Sequence, residues 1–167
     1  VYQRELEGAT GDVQEAEIRA KLAVLAADRL GDVPRAIDTW KRVLDLRGED
    51  PDALGALGAL YERAEMWSEL ADVLERLHDV AATDADRIAF LLRRAQIFLS
   101  RLHRDESART DYLRALDIDY ANVEALRAVA QIWRTRGDAN ELVSALHVFV
   151  DRAAALLEAD ELKAIYA

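Results

Sequence analysis

Apolar residues recur at spacings of three and four along nearly the whole chain, and no stretch alternates as a half-buried strand would. The pattern predicts an all-α protein of about ten helices. Residues 1–8 form a first piece without a cap, broken by Gly8-Ala-Thr-Gly11. Asp12, with Glu15 three places on, reads as an N-cap and capping box opening a helix over 12–30. That helix puts Ile18, Leu22, Leu25 and Ala26 on one face. Gly31-Asp32 turns the chain, and Pro34 enters the first turn of a helix reaching residue 46, where a missing amide costs little. Its inward face is Ala36, Ile37, Trp40, Val43 and Leu44. Asp50-Pro51 starts helix 51–65, with Leu54, Leu57, Gly58 and Tyr61 inward; helix 67–82 follows, with Leu70, Val73, Leu74 and Leu77. Asp84 is the expected cap of a helix to 102. Helices 105–118, 122–136, 139–156 (after Gly137-Asp138) and an unfinished 158–166 complete the chain.

The helices repeat in pairs of 34 residues. Ala36, Leu70, Ala108 and Leu142 fall in one column. Four and seven places on come Trp40/Val43, Leu74/Leu77, Tyr112/Ala115 and Leu146/Phe149. The preceding helices contribute Ala23/Ala27, Leu57/Tyr61, Ala95/Leu99 and Val129/Trp133. A four-residue insertion near 81–85 separates the second and third repeats. A longer period overlies the first: at an offset of 72, Asp12 falls on Asp84, Arg29 on Arg101, Ala36 on Ala108, Asp45 on Asp117 and Glu69 on Glu141. Chance agreement of helical patterns explains apolar columns, but not identical Asp, Arg and Glu columns at one offset.

A helix-turn-helix of this length with these columns resembles the tetratricopeptide repeat (TPR). The residues that carry the likeness are Leu54, Leu57, Gly58 and Tyr61; Ala36, Trp40 and Val43; and Leu126, Val129, Ala130 and Trp133. Asp119-Tyr120 stands where that family often has Asp-Pro. Leu70 and Leu142 replace the usual Ala at the close-packing column, which implies wider helix spacing in alternate repeats. The first helices of repeats one and three are also long. The resemblance implies a single α-solenoid domain over 1–167, wound as a right-handed superhelix. Its repeats lie at about 17–50, 51–84, 89–122 and 123–156, with partial repeats at 1–8 and 158–167. A related helical-repeat type, including the half-repeat variety of RNA-processing proteins, is the alternative.

Composition narrows the function. A net charge of −10, from 22 basic and 32 acidic residues, opposes affinity for nucleic acid or anionic lipid. Without cysteine there is neither a disulfide framework nor thiolate chemistry. No run of about 18 apolar residues exists to insert into a membrane. The opening residues are not a signal peptide, so a cytoplasmic location is the expectation. Arg far outnumbers Lys, which suits a GC-rich bacterial genome. His78, His103 and His147 have no metal-ligand spacing, and in the offset register they match Val150, Gly31 and Glu75. Acidic pairs such as Glu49-Asp50 and Asp84/Asp86 sit at helix starts, where the dipole favours them. Gly55 and Gly58 lie within a helix and form no phosphate loop; Met66 and Trp67 seal a turn. No catalytic, metal or cofactor constellation is present, and the expectation is a non-enzymatic protein without cofactors.

The resemblance also implies which first-helix columns face a concave groove. By register they are Ile18, Lys21, Leu25, Asp28 and Arg29; Asp52, Gly55, Ala59, Glu62 and Arg63; Phe90, Arg93, Ile97, Ser100 and Arg101; and Glu124, Arg127, Gln131, Arg134 and Thr135. Cations outnumber carboxylates there, the reverse of the whole chain. The expected peptide-binding residues are Lys21, Leu25, Arg29, Arg63, Phe90, Arg93, Ile97, Arg101, Arg127, Gln131 and Arg134. Guanidinium forks suit an acidic segment or a C-terminal carboxylate. Some chaperone-binding relatives clamp a carboxylate with Lys, Asn and Arg. Lys21 fits the first column, but Leu25 stands in the Asn column, which argues against that clamp. Two further outcomes follow from the pattern: a structural spacer that associates end to end, and, less in keeping with the charge, an RNA-binding module.

Overall fold

The computed structural model describes residues 11–137, together with Asn140, Val143 and His147, which have helical backbone. The helices expected over 1–8, 139–156 and 158–166 lie wholly or mostly outside the described residues. Seven sequential α-helices are seen among the described residues: α1 (Asp12–Asp28), α2 (Val33–Arg47), α3 (Pro51–Arg63), α4 (Trp67–Val80), α5 (Asp84–Ile97), α6 (Asp105–Ile118) and α7 (Val123–Arg136). Consecutive helices run antiparallel, as the 34-residue period predicts. A π-turn, Phe98–Leu102, extends α5.

The chain divides into two compact units, Val1–Phe90 and Leu91–Ala167, with the boundary inside α5. In the first unit α1 packs on α2, α2 on α3, and α3 on α4. In the second, α6 packs on α7 and on the π-turn.

The repeat columns are the core. Ala36, Leu70 and Ala108 are buried, as are Trp40, Val43, Leu74, Leu77, Tyr112 and Ala115 on the same helices. Ala23, Ala27, Leu57, Tyr61, Ala95, Val129 and Trp133 are buried from the first helices; Leu99, in the π-turn, is only half-buried. Neither element of a pair can hide its apolar stripe alone, so the stack is the minimum that does. α1 departs from its expected face. Its buried residues are Ala16, Ile18, Ala23, Ala26 and Ala27, while Leu25 remains 37% exposed. Leu25 is thus exposed, as its place among the groove-facing columns implies, and the small Ala16, Ala23, Ala26 and Ala27 make most of the buried face.

Helix starts follow side-chain capping. Asp32, Asp50 and Asn122 accept from the backbone N–H of Arg35, Ala53 and Ala125 at 3.2, 2.9 and 3.0 Å. Two expected caps shift by one residue. Gly11 in extended backbone precedes α1 with no side-chain cap, and the anticipated box is not made, because Glu15 instead accepts from Arg19 at 2.6 and 2.9 Å. At α5 the cap is Thr83, whose hydroxyl accepts from the Asp86 N–H at 3.1 Å and donates to its carboxylate at 2.7 Å. Asp12 and Asp84 are the first helical residues, where a carboxylate favours the dipole without capping.

The ends of the first helices share one device. Gly31, Glu65, His103 and Gly137 all have left-handed backbone, with φ of 64°, 56°, 53° and 78°. At three of them a following amide reaches back to the helix: Asp32 N–H donates to Ala26 at 2.9 Å, Met66 to Tyr61 at 2.8 Å, and Arg104 to Phe98 at 2.8 Å. His103 therefore occupies the turn position held by Gly31 one double repeat earlier.

Candidate interaction surfaces

The first helices carry the residues expected to bind a partner. Lys21, Leu25 and Arg29 on α1 and Arg63 at the end of α3 are exposed in the first unit. Phe90 is half-buried there. In the second unit Arg93, Arg101, Arg127, Gln131 and Arg134 are exposed, whereas Ile97 is buried at 7% exposure. Ile97, like Ile18 on α1, supports the face from beneath and cannot contact a partner.

Their local partners separate them further. Arg63 donates through Nη1 to the carbonyl of Ala27 at 3.3 Å, tying α3 to the last turn of α1. Arg134 donates to Gln131 three residues earlier. Glu124 is held by Gln96 Nε2 at 2.6 Å. Among the described residues, Lys21, Arg29 and Arg127 pair with no carboxylate.

A cavity lies elsewhere, on the α2 and α4 side of the first unit. It has a volume of about 600 Å³. Leu44, Leu57, Tyr61 and Val73 make its floor, and Lys41, Asp45, Glu49, Glu69, Asp72 and Arg76 its rim. Arg76 closes one edge by donating from Nε and Nη2 to the two oxygens of Glu49, both at 2.9 Å. That fork holds the Glu49 carboxyl below the usual carboxylate range and raises Arg76 in turn. A second cavity of about 370 Å³ is bordered by Val33, Pro34, Ile37 and Met66 and shares Lys41 with the first. Sequence columns did not point here, because the rim mixes second-helix positions with Glu49, a turn residue. The offset register kept Asp45 and Glu69 as recurring acids, which was the available signal.

The second unit holds a buried ionic cluster. Asp111 on α6 is 2% exposed and lies 3.5 Å from Arg94 Nε and 3.4 Å from Arg114 Nη1. Burial raises its carboxyl above the usual range despite the opposing pull of Arg94 and Arg114. Arg94 also stands over the Phe98 ring, 5.2 Å from its centroid. Burial pushes the neighbouring Tyr112 phenol up to about 12, with the Glu124 charge adding to the effect. The cluster bridges α5 and α6 and opens onto neither cavity described above.

Comparison with solved structures identifies the fold. MamA superposes with a TM-score of 0.56 at 17% identity, over 92% of this chain and 85% of that one. A tetratricopeptide repeat protein from Parabacteroides merdae gives 0.57 at 14% identity, over 92% of this chain and 58% of that one. YrrB, described as a TPR protein with an unusual peptide-binding site, gives 0.53 at 16% identity, over 93% and 76%. Neither a protein-family model nor a curated protein matches the chain. The architecture is that of the tetratricopeptide repeat proteins.

Proposed function

We propose that this chain is a non-enzymatic interaction scaffold that holds an acidic or C-terminal segment of a partner protein against its first helices. The observation that carries this reading is the exposure of Lys21, Arg29 and Arg127 without carboxylate partners, on a chain of net charge −10. Other surface cations are paired with an acid on their own helix, as in Arg19–Glu15, Arg87–Asp84 and Arg109–Glu106. Exposed Leu25 adds apolar contact between Lys21 and Arg29. In the second unit Arg93, Arg101, Arg127, Gln131 and Arg134 are exposed at the corresponding columns. The TPR fold of YrrB, a protein described by its peptide-binding site, supports a peptide as the ligand class. The acidic balance of the chain favours a protein partner over nucleic acid.

The test is capture of partner from a cell extract by the wild type and by the triple variant Arg93→Glu, Arg101→Glu, Arg127→Glu. The variant is expected to lose capture while keeping its helical circular dichroism. Equal capture by both would reject the second-unit part of the basic face, and the double variant Lys21→Glu, Arg29→Glu tests the first-unit part in the same way. Acidic peptides with free and amidated C-termini then distinguish recognition of side chains from recognition of the terminal carboxylate.

End-to-end association is a second reading, favoured by the exposed Val13, Val24 and Leu30 along α1 and its C-terminal turn. Light scattering across a concentration series decides it, since a strict monomer rejects it.

A further inference from the structure

We infer that the α2–α4 cavity of the first unit is a second docking surface, of opposite sign, for a cationic segment carrying an apolar side chain. Charge complementarity carries the choice of occupant. Four carboxylates stand on the rim, Asp45, Glu49, Glu69 and Asp72, against Lys41 and Arg76. Arg76 is spent on Glu49 through the two-bond fork, so it neutralises none of the other three. Asp45 has only a long 3.5 Å contact with Arg42, both being well exposed. Glu69 and Asp72, one turn apart on α4, pair with no cation among the described residues.

The walls suit such a segment. An ammonium or guanidinium at the rim would meet Glu69 and Asp72 while its methylene stem lies against the apolar floor near Tyr61. The neighbouring cleft offers Pro34, Ile37 and Met66 as a seat for an apolar residue of the same segment, with Asp38, Lys41 and Arg63 also on its border. The Glu49–Arg76 fork joins the turn after α2 to α4 across one edge, which keeps the cavity open before any partner arrives. Arg63 borders the neighbouring cleft and also belongs to the basic first-helix set, but the Glu69 and Asp72 rim shares no residue with that set, so substitutions there test this surface separately.

The probe is a short fluorescent peptide with one leucine flanked by lysines, titrated into the whole chain at low salt and followed by anisotropy. Saturable binding is expected, weakening as salt rises. The double variant Glu69→Lys, Asp72→Lys should bind about tenfold more weakly, a change of about 1.4 kcal/mol. Lys41→Glu should bind more tightly. A control pair on α6, Asp105→Lys and Asp117→Lys, changes the net charge equally at residues that do not line the cavity and should leave binding within about twofold, or roughly 0.4 kcal/mol. Asp72, Asp105 and Asp117 are exposed and Glu69 is half-buried, and circular dichroism verifies that each variant is folded. Absence of saturable binding overturns the inference. So does equal weakening by the α6 pair, which would indicate general attraction to an acidic protein. Equal binding of the same peptide with glutamates in place of lysines also overturns it.

Discussion

Gly58 on α3 lies directly beneath Leu70 on α4. A methyl group at Gly58 would sit 3.6 Å from Leu70 Cδ1 and 3.5 Å from Val73 Cγ1, at ordinary van der Waals separation. The pair explains how repeat two accommodates a leucine in a column where repeats one and three have Ala36 and Ala108. The bulk added on α4 meets a missing side chain on α3. Gly58→Ala therefore fills available space and gains helix propensity, and should stabilise the chain by about 0.5–1 kcal/mol. Gly58→Leu forces several more atoms into the same contact and should cost about 1–3 kcal/mol. Urea unfolding midpoints check both, and a destabilised alanine variant would show that the helices cannot give at all.

The left-handed turn positions make a second prediction. Gly31 and Gly137 adopt this backbone without steric cost, whereas Glu65 and His103 adopt it against their β-carbons. Glu65→Gly and His103→Gly should each stabilise by up to about 1 kcal/mol, reduced by the greater freedom of glycine in the unfolded chain. Thermal unfolding provides the measurement. A loss of stability in His103→Gly would mean that the imidazole makes a contact worth more than the strain.

The buried Asp111 makes stability depend on pH in an unusual direction for a paired carboxylate. Its folded-state pKa is raised above the ordinary 3.8, so the folded chain holds the proton more tightly than the unfolded one. Its contribution is fully present below 3.8 and is lost as pH rises through the raised value. Asp111→Asn cannot ionise and removes this dependence. Wild-type stability minus that of Asp111→Asn should thus decline with rising pH across that window. A difference that instead grows with pH would show that Arg94 and Arg114 outweigh the desolvation.

Glu49 behaves oppositely. Its pKa is lowered from 4.5 by the fork from Arg76, so its contribution is present above 4.5 and lost as pH falls through the lowered value. Both side chains are largely solvated, which keeps the pair modest. A double-mutant cycle of Glu49→Gln and Arg76→Gln should give a coupling of about 0.5–1 kcal/mol near neutral pH. The coupling should fade in acid and in high salt. A coupling of zero at neutral pH would remove the fork as the brace of the cavity edge.

Much of this architecture was legible from local spacing. The period of three and four, recurring every 34 residues, places a buried side chain at each repeat column, because a helix pair can hide its stripe only against a neighbour. Asp50 caps α3 where the sequence places it, whereas Asp12 and Asp84 give way to Gly11 and Thr83 one residue earlier. Even the turn at His103 was written in its alignment with Gly31, since backbone conformation follows the repeat and not the residue.

Other features depend on partners distant in sequence. That Ala26 and not Leu25 enters the core depends on which face of α1 packs on α2, which no window of α1 contains. That Arg63 ties to the Ala27 carbonyl, and so belongs partly to the frame, required α3 to be placed beside α1. The acidic cavity arises because Glu49, from a turn, and Arg76, from the helix after next, meet across 27 residues of chain. Helical periodicity is set by each residue's own backbone and near neighbours, and so is present in the amino-acid order. Charge pairing and cavity shape are set by which surfaces the packed helices bring together, and these exist only once the helices are stacked.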